Sequence, residues 1–245
     1  MDAYNQGCNY YYGNNGYPFD YQKAFDLFVE AANGGISNAM NNLGVMYMDG
    51  RGVPQDYCTA FDWFKKALLS DNYNYLGYHN MAKLLYNGLG VPRNIEKAYN
   101  CYTKAAGYNK QKNGAVYVDD CFMVGYILLT NYNRLRDAFP YFKEAAIKGN
   151  KPEAWHNMGY ICSKKGIPGA NRQTAFPYFM KAAEAGYAES MYEVGCIYIS
   201  KMMYNEGIPW VEKAAAKGYE PARKNLKKFK AARAAQSGSI FGFFE

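Results

Sequence analysis

The sequence is poor in the residue types that build metal centres and nucleophilic active sites. It has only two histidines, His79 and His156, and none of its six cysteines forms a Cys-x-x-Cys pair. The cysteine spacings share no rhythm that is typical of metal ligands, and no Cys–His pair or close carboxylate pair is forced by local spacing. We therefore expect no catalytic residue, no metal, no cofactor and no enzymatic activity.

Targeting segments and long apolar runs are also absent from the sequence. No window approaches the roughly 18 consecutive apolar residues that predict a membrane span. The first residues lack the basic stretch followed by an apolar run that marks a signal peptide. The prediction is a cytoplasmic protein with reduced thiols. A disulfide framework and secretion as an effector are the alternatives.

Positive charge is concentrated near the end of the sequence. Residues 219–236 carry six cations and one acid, a local charge of +5, whereas the rest of the chain carries only +2 of the net +7. The cations are Arg223, Lys224, Lys227, Lys228, Lys230 and Arg233. The basic character therefore belongs to this segment and not to the chain as a whole.

Residues 39–67 form one helix–turn–helix unit. Small and apolar residues in Ala39-x-x-x-Leu43-Gly44-x-x-Tyr47 recur at three- and four-residue steps, so they share one face of a first helix. The turn Gly50-Arg-Gly52 ends that helix, and Asp56 is placed to cap a second one. No strand precedes these glycines and no Gly-Lys-Ser/Thr follows, so they are predicted to serve the turn and not to bind phosphate.

This unit recurs along the whole chain. The small packing position of the first helix returns at steps of 34 to 43 residues, at Gly7, Gly44, Ala82, Gly125, Gly159 and Gly195. The small position of the second helix returns at Ala24, Ala60, Ala98, Ala138, Ala175 and Gly207. Small residues let neighbouring helices approach closely, so each unit should pack against the next. Pro140, Pro177 and Pro209 match Asp26, Asp62 and Asn100 of earlier repeats, which predicts that these positions lie in the first turn of the second helix.

The pattern resembles the Sel-one-like repeat (SLR) family, a branch of the tetratricopeptide-like α-solenoids. Its consensus is Ala-x3-Leu-Gly-x2-Tyr-x2-Gly-x-Gly-Val, followed by a second helix that ends in Lys-Ala. Residues 39–67 match it closely and residues 77–107 match it well, whereas the fourth repeat lacks the Gly-x-Gly-Val turn. The prediction is an all-α fold, a right-handed α-α superhelix (solenoid) of about six helix-turn-helix repeats with a C-terminal capping helix. Residues 1–218 would form the solenoid, 219–236 the basic capping helix and 237–245 an apolar tail.

The resemblance also implies a non-catalytic scaffold or adaptor that binds a protein or peptide on the concave face of the first helices. In related tetratricopeptide solenoids this face is lined by residues three before and one after the packing position, and by residues one turn further on. Transferred to this sequence, the face consists of Tyr4, Asn41, Val45, Met48, His79, Lys83, Tyr86, Phe122, Tyr126, Glu153, His156, Tyr160 and Tyr192. A face that is merely solvated is the alternative.

The C-terminal segment allows two interpretations. Ala222, Leu226 and Phe229 recur at helical spacing opposite the lysines, which predicts a helix that caps the last repeat. The alternative is that this basic helix binds nucleic acid or an anionic membrane. After a Ser-Gly-Ser link, the apolar residues are predicted to fold back onto the last repeat or to dock onto a partner or a second copy of the chain. They are Ile240, Phe241, Phe243 and Phe244.

Overall fold

All regular secondary structure in the described part of the chain is α-helical. The computed structural model describes residues 2–110, 115–164, 169 and 171–241, without the side chains of residues 115, 116 and 237–241. Within these ranges lie thirteen helices: α1 (Ala3–Tyr12), α2 (Tyr21–Asn33), α3 (Ser37–Asp49), α4 (Tyr57–Ser70), α5 (Tyr75–Asn87), α6 (Ile95–Asn109), α7 (Ala115–Thr130), α8 (Leu135–Gly149), α9 (Pro152–Ser163), α10 (Arg172–Glu184), α11 (Ala188–Ser200), α12 (Tyr204–Ala216) and α13 (Glu220–Phe241). None of these helices is long and apolar enough to cross a membrane.

The chain divides into two compact units, Met1–Ile127 and Leu128–Glu245, with the boundary inside α7. In the first unit each helix from α1 to α5 packs against the helix that follows it, and α3 also contacts α5. In the second unit each helix from α8 to α12 packs against its successor, and α11 also contacts α13. Packing between sequence neighbours is the contact pattern of a helical-repeat solenoid. The predicted all-α repeat fold is therefore confirmed.

The small packing positions bring the two helices of a repeat into direct contact. A Cβ atom placed on Gly44 would lie 2.4 Å from the ring of Phe64 on the second helix of the same repeat. The equivalent distance from Gly159 to the ring of Phe179 is 2.7 Å. Phe64 is completely buried and Phe179 nearly so. The small residue on the first helix and the large one on the second thus form a single packing unit, as the repeat pattern predicted.

Capping residues and glycine turns set the ends of the helices. Asp56 caps α4 through hydrogen bonds from the backbone N–H groups of Cys58 and Thr59, which confirms its predicted role. Gly50 ends α3 and Gly88 ends α5 in the left-handed conformation, with φ of 69° and 70°. These glycines therefore serve the turns between helices.

The prolines of the second helices lie deeper in the helix than the sequence pattern suggested. Pro140, Pro177 and Pro209 are each the sixth residue of their helix, so the prediction that they lie in the first turn is wrong. All three prolines face solvent. We attribute their tolerance to this exposure, because water can hydrate the carbonyl group that each proline leaves without a helical donor.

The last helix packs on α12 and α11 through the apolar side predicted for it. Ala222 is buried, and Leu226 and Phe229 are partly buried against the core of the second unit. The backbone of α13 continues to Phe241, so the expected Ser-Gly-Ser link at 237–239 is helical.

Candidate ligand-binding face of the first helices

The predicted binding residues all lie on first helices, namely α1, α3, α5, α7, α9 and α11. Twelve of the thirteen are half-buried or exposed. The exception is Asn41, which is only 3% exposed. Its side-chain oxygen accepts a hydrogen bond of 3.0 Å from the side-chain amide of Asn80. An amide enclosed and bonded in this way joins α3 to α5, so Asn41 does not belong to the open face.

His79 joins α5 to α7 through a buried carboxylate. Its Nδ1 lies 2.7 Å from Oδ1 of Asp120, whose side chain is fully buried. The second oxygen of Asp120, Oδ2, has no hydrogen-bond partner among the described residues. Burial raises the pKa of the Asp120 carboxyl to about 6, against the opposing effect of the hydrogen bond and charge of His79.

His156 occupies the equivalent place in the second unit and joins α9 to α11. Its Nδ1 lies 2.8 Å from the hydroxyl oxygen of Ser190. The ring packs against Phe179 and Tyr187, with centroid distances of 5.5 and 5.0 Å. Glu189 approaches Nε2 to 3.4 Å from a half-exposed position. Burial nevertheless lowers the pKa of His156 to about 4, so the imidazole is neutral at pH 7.

Similar links extend to the ends of both units. The hydroxyl of Tyr192 on α11 accepts a hydrogen bond of 2.9 Å from Asn225 on α13. The amide of Asn42 on α3 lies 3.9 Å from the sulfur of Cys8 on α1. Beside it, burial raises the pKa of Tyr4 to about 12. Three residues that lie three places before the packing position, Asn41, His79 and His156, therefore link consecutive first helices, and we call them the interlocked row.

The partners in this row were missed in the sequence, although a signal was present. Asp120 and Ser190 lie five residues before their packing glycines, at the position where other repeats have Ala39, Gly77 or Ala154. The signal is a polar residue at a position that is otherwise small. It occurs in the two repeats that follow a repeat with a histidine, and it identifies the pairs His79–Asp120 and His156–Ser190. Because each pair bridges adjacent repeats, the spacing within a single repeat does not reveal it.

In the first unit an aromatic and apolar surface lies beside this row. Val45, Met48, Tyr86, Phe122 and Tyr126 are half-buried, and Lys83 is exposed. The rings of Phe122 and Tyr126 are stacked, with centroids 6.1 Å apart. Arg93 donates a hydrogen bond of 2.9 Å to the carbonyl oxygen of Tyr86, and its guanidinium lies 5.6 Å from the centroid of that ring. We call these six side chains the aromatic surface: Val45, Met48, Lys83, Tyr86, Phe122 and Tyr126.

In the second unit the first helices α9 and α11 carry three acidic side chains, Glu153, Glu189 and Glu193. Burial raises the pKa of Tyr187 to about 12, and the negative charges of Glu189 and Glu153 act in the same direction. Burial also raises the pKa of Glu193. Tyr160 is 38% exposed, with the Lys164 ammonium 4.0 Å from its ring centroid. At the positions equivalent to Val45, Lys83 and Tyr126 the second unit has Tyr160 and Cys196, so its acidic side chains occupy other positions of the repeat.

Metal ligands are not grouped on either surface. In residues 2–110, 115–164, 169 and 171–241 no cluster of three or more His, Cys, Asp or Glu side chains is placed to hold a metal ion.

The cations of α13 lie on the side of the helix that faces away from the core. Lys230 forms an ion pair of 2.7 Å with Glu212, and Lys224 one of 3.8 Å with Glu220. Lys227 and Lys228 are exposed and form no ion pair with any described residue. The side chains of Ile240, Phe241, Phe243 and Phe244, predicted as a docking tail, lie outside the described residues.

The fold and the interlocked first helices define a helical-repeat protein of the tetratricopeptide-like kind. The Sel1 repeat family model matches residues 3–36, 37–72, 76–106, 152–187 and 188–220, which together exceed half of the chain. The chain belongs to the Sel1 repeat family. The matches leave out residues 107–151, which contain the fourth repeat, the one that departs from the consensus.

Solved structures share this fold. The crystal structure of a Sel1 repeat protein from Oxalobacter formigenes is similar with a TM-score of 0.71 and 20% identity, over 92% of this chain and 87% of that one. The c5321 antigen of uropathogenic Escherichia coli, described as having an SLR fold, gives a TM-score of 0.56 and 23% identity, over 91% of this chain and 55% of that one. YrrB, a TPR protein, gives 0.58 and 19%, over 83% of this chain and 97% of that one.

Proposed function

We propose that this protein is a non-catalytic scaffold that binds a peptide or protein segment on its first helices, mainly through the aromatic surface. The observation that carries the proposal is the set of half-exposed aromatic and apolar side chains on α3, α5 and α7, the first helices of three consecutive repeats. Aromatic side chains that can be fully desolvated supply most of the free energy at protein interfaces. Lys83 adds one cation at this surface.

The interlocked row prepares this surface for binding. The pairs Asn41–Asn80 and His79–Asp120 hold neighbouring first helices in fixed positions. Because the helices are already ordered, a ligand loses less of its binding free energy to ordering the protein.

Family membership and the structural neighbours support binding over catalysis. Sel1 and TPR-like repeats generally serve as scaffolds for protein–protein interaction. YrrB is described as a TPR protein with an unusual peptide-binding site. These relations support the class of function, whereas the choice of surface rests on this chain's own residues.

Removing two rings of the aromatic surface tests the proposal. We expect the double variant Tyr86→Ala/Tyr126→Ala to weaken partner binding at least about tenfold, because buried tyrosines are frequent hot spots. Proteins captured from native lysate by the wild type are identified by mass spectrometry, and the Kd of the purified partner is then measured by calorimetry.

The matched control is Tyr73→Ala, which removes a ring that is 65% exposed in the turn before α5 and remote from the aromatic surface. Binding should survive this change. If both variants bind the same partner as tightly as the wild type while circular dichroism shows unchanged helicity, the aromatic surface is not the binding site.

The exposed cations of α13 favour a second candidate function, the binding of nucleic acid or an anionic membrane. Arg223, Lys224, Lys227, Lys228 and Lys230 fall within about 160° of the helix circumference at about 100° per residue. Binding through them should weaken steeply with salt. Lys227→Glu/Lys228→Glu should abolish binding to duplex RNA or to phosphatidylserine vesicles. Binding that survives this change would exclude α13 as the binding site.

Docking of residues 240–244 stays a prediction, tested by sedimentation of the chain with and without residues 237–245.

A further inference from the structure

Three equivalent places in this protein pair a phenylalanine of a second helix with a tyrosine ring. Phe25 meets Tyr47 edge-on, with centroids 5.8 Å apart and an interplanar angle of 78°. Phe176 meets Tyr198 at 5.4 Å and 88°. In both pairs the tyrosine belongs to the next first helix and lies three residues after its packing glycine.

The third pair takes its ring from another position. Phe139 meets Tyr178 edge-on, at 5.9 Å and 84°. This tyrosine lies on α10, the second helix of the following repeat, three residues after the buried Ala175. Two positions of the repeat can therefore supply the ring that packs on the phenylalanine.

At Phe61 neither position supplies a ring. The residue three after Ala82 is Leu85, and the residue three after Ala98 is Cys101. Both side chains are much smaller than tyrosine. A cavity of about 500 Å³ opens at this place, and Phe61, Leu85 and Cys101 all line it.

The lining of this cavity is apolar with a basic rim. Met81 and Val91 complete the apolar floor, and Lys65 and Lys97 stand at the edge with exposed side chains. None of the described residues that line the cavity is acidic. Burial raises the pKa of the Cys101 thiol to about 11, so this group stays neutral. Such a site suits an apolar group carried next to negative charge.

We propose that this cavity binds an aromatic side chain presented by an acidic peptide segment of a partner protein. The incoming ring takes the place that Tyr47, Tyr198 and Tyr178 take elsewhere, edge-on to the phenylalanine. Carboxylates on either side of the ring in the peptide meet the ammonium groups of Lys65 and Lys97.

The cavity is separate from the aromatic surface. At about 100° per residue, Met81 and Leu85 lie on the opposite side of α5 from Lys83 and Tyr86. Binding at the cavity and binding at the aromatic surface can therefore be tested independently. The variant Tyr86→Ala/Tyr126→Ala should bind the acidic peptide with unchanged affinity.

The test uses the acetylated and amidated peptide Glu-Glu-Phe-Glu-Glu with the whole chain. A ring in the cavity should shift the methyl resonance of Met81 upfield and saturably, because the ring current acts at short range. The signal is assigned with Met81→Leu. The control peptide Glu-Glu-Ala-Glu-Glu should leave the resonance unchanged.

Two kinds of variant keep the test independent of folding. Leu85→Tyr or Cys101→Tyr should fill the cavity from within and weaken binding of the peptide at least tenfold, without lowering the melting temperature of the protein. Lys65→Ser/Lys97→Ser changes only exposed side chains. It should weaken binding of the peptide several-fold and remove the salt dependence of that binding.

Three results would overturn the proposal. The first is a Met81 methyl that the peptide does not shift, and the second is equal binding by the filled and unfilled variants. The third is occupancy of the cavity by a peptide of residues 237–245 but not by the acidic peptide, which would assign the site to the chain's own tail.

Discussion

His79 and His156 occupy the same position in two repeats, yet their surroundings differ in charge. Each ring binds, through Nδ1, the residue five places before the next packing glycine, at 2.7 Å in the first unit and 2.8 Å in the second. The partner is a buried carboxylate, Asp120, in one case and a hydroxyl, Ser190, in the other. The backbone frame is thus shared, and one side chain decides whether the link contains a buried charge.

The difference shows that one repeat geometry can carry opposite responses to pH. Burial disfavours the ionised form of any group, and it therefore raises the pKa of Asp120 and lowers that of His156. Ionisation of Asp120 as pH rises therefore destabilises the first unit. Protonation of His156 as pH falls destabilises the second unit. The predictions that follow test how far the two units are alike.

The largest effect should come from the packing positions, where the units are equivalent. Gly44→Leu and Gly159→Leu should each destabilise the protein by about 3 kcal/mol or more, because even a Cβ atom would overlap the ring of Phe64 or Phe179. Urea unfolding measures the change. Gly107→Leu in α6, where a Cβ atom meets nothing within 4 Å, is the control and should cost little. Similar costs at Gly44 and Gly107 would show that the helix register is wrong.

Replacing the two histidines should lower the free energy of unfolding by unequal amounts. His79→Ala should cost about 3 kcal/mol at pH 7, because it removes the hydrogen bond and the charge that oppose the raised pKa of the buried Asp120 carboxyl. That carboxyl must then either stay ionised without a partner or take up a proton. His156→Ala should cost about 1 to 2 kcal/mol, because it leaves only a hydroxyl unpaired. Urea unfolding of the two variants makes the comparison.

The double variant His79→Ala/Asp120→Ala supplies the control. It should recover much of the loss, since alanine stands at the position of Asp120 in two other repeats, as Ala39 and Ala154. Equal costs for the two single variants, with no recovery in the double variant, would mean that the charge of Asp120 does not matter.

An effect of about 1 to 2 kcal/mol should also come from pH, with opposite signs in the two units. The pKa of His156 falls from 6.5 to about 4, so its contribution to stability is present above pH 6.5 and lost as pH falls towards 4. Acidification from pH 7 to 5 should therefore stabilise His156→Gln relative to the wild type by about 2 kcal/mol.

Asp120 should show the reverse. Its pKa rises from 3.8 to about 6, so its contribution is present below pH 3.8 and lost as pH rises through 6. The same acidification should lower the stability of Asp120→Asn relative to the wild type by about 1 kcal/mol. Urea titrations at both pH values give these differences, and changes of the same sign in the two variants would contradict the comparison.

Much of the fold could be predicted from local patterns. The packing position at Gly44, the cap at Asp56 and the turn at Gly50 all follow from spacing within one repeat, and the structure confirms each. The depth of Pro140, Pro177 and Pro209 was predicted wrongly, because tolerance of proline depends on which carbonyl groups reach water. That exposure is a property of the packed helix and not of its sequence.

The candidate site could be predicted only in outline. The binding face of the first helices stays a prediction, Asn41 proved to be buried, and the partners of the histidines were missed. Both outcomes have one cause, since the side chains of Asn41, His79 and His156 reach across to the next first helix. Their surroundings depend on two repeats at once.

By itself the sequence determined the helical repeat, its period, its turns and the small residues at which helices meet, because each depends on backbone preferences within about 40 residues. The tertiary structure alone decided which polar side chains interlock, which charges are buried and where a ring is missing beside Phe61. Those properties arise from distances between repeats, and burial acts on a group only after its neighbours have come together.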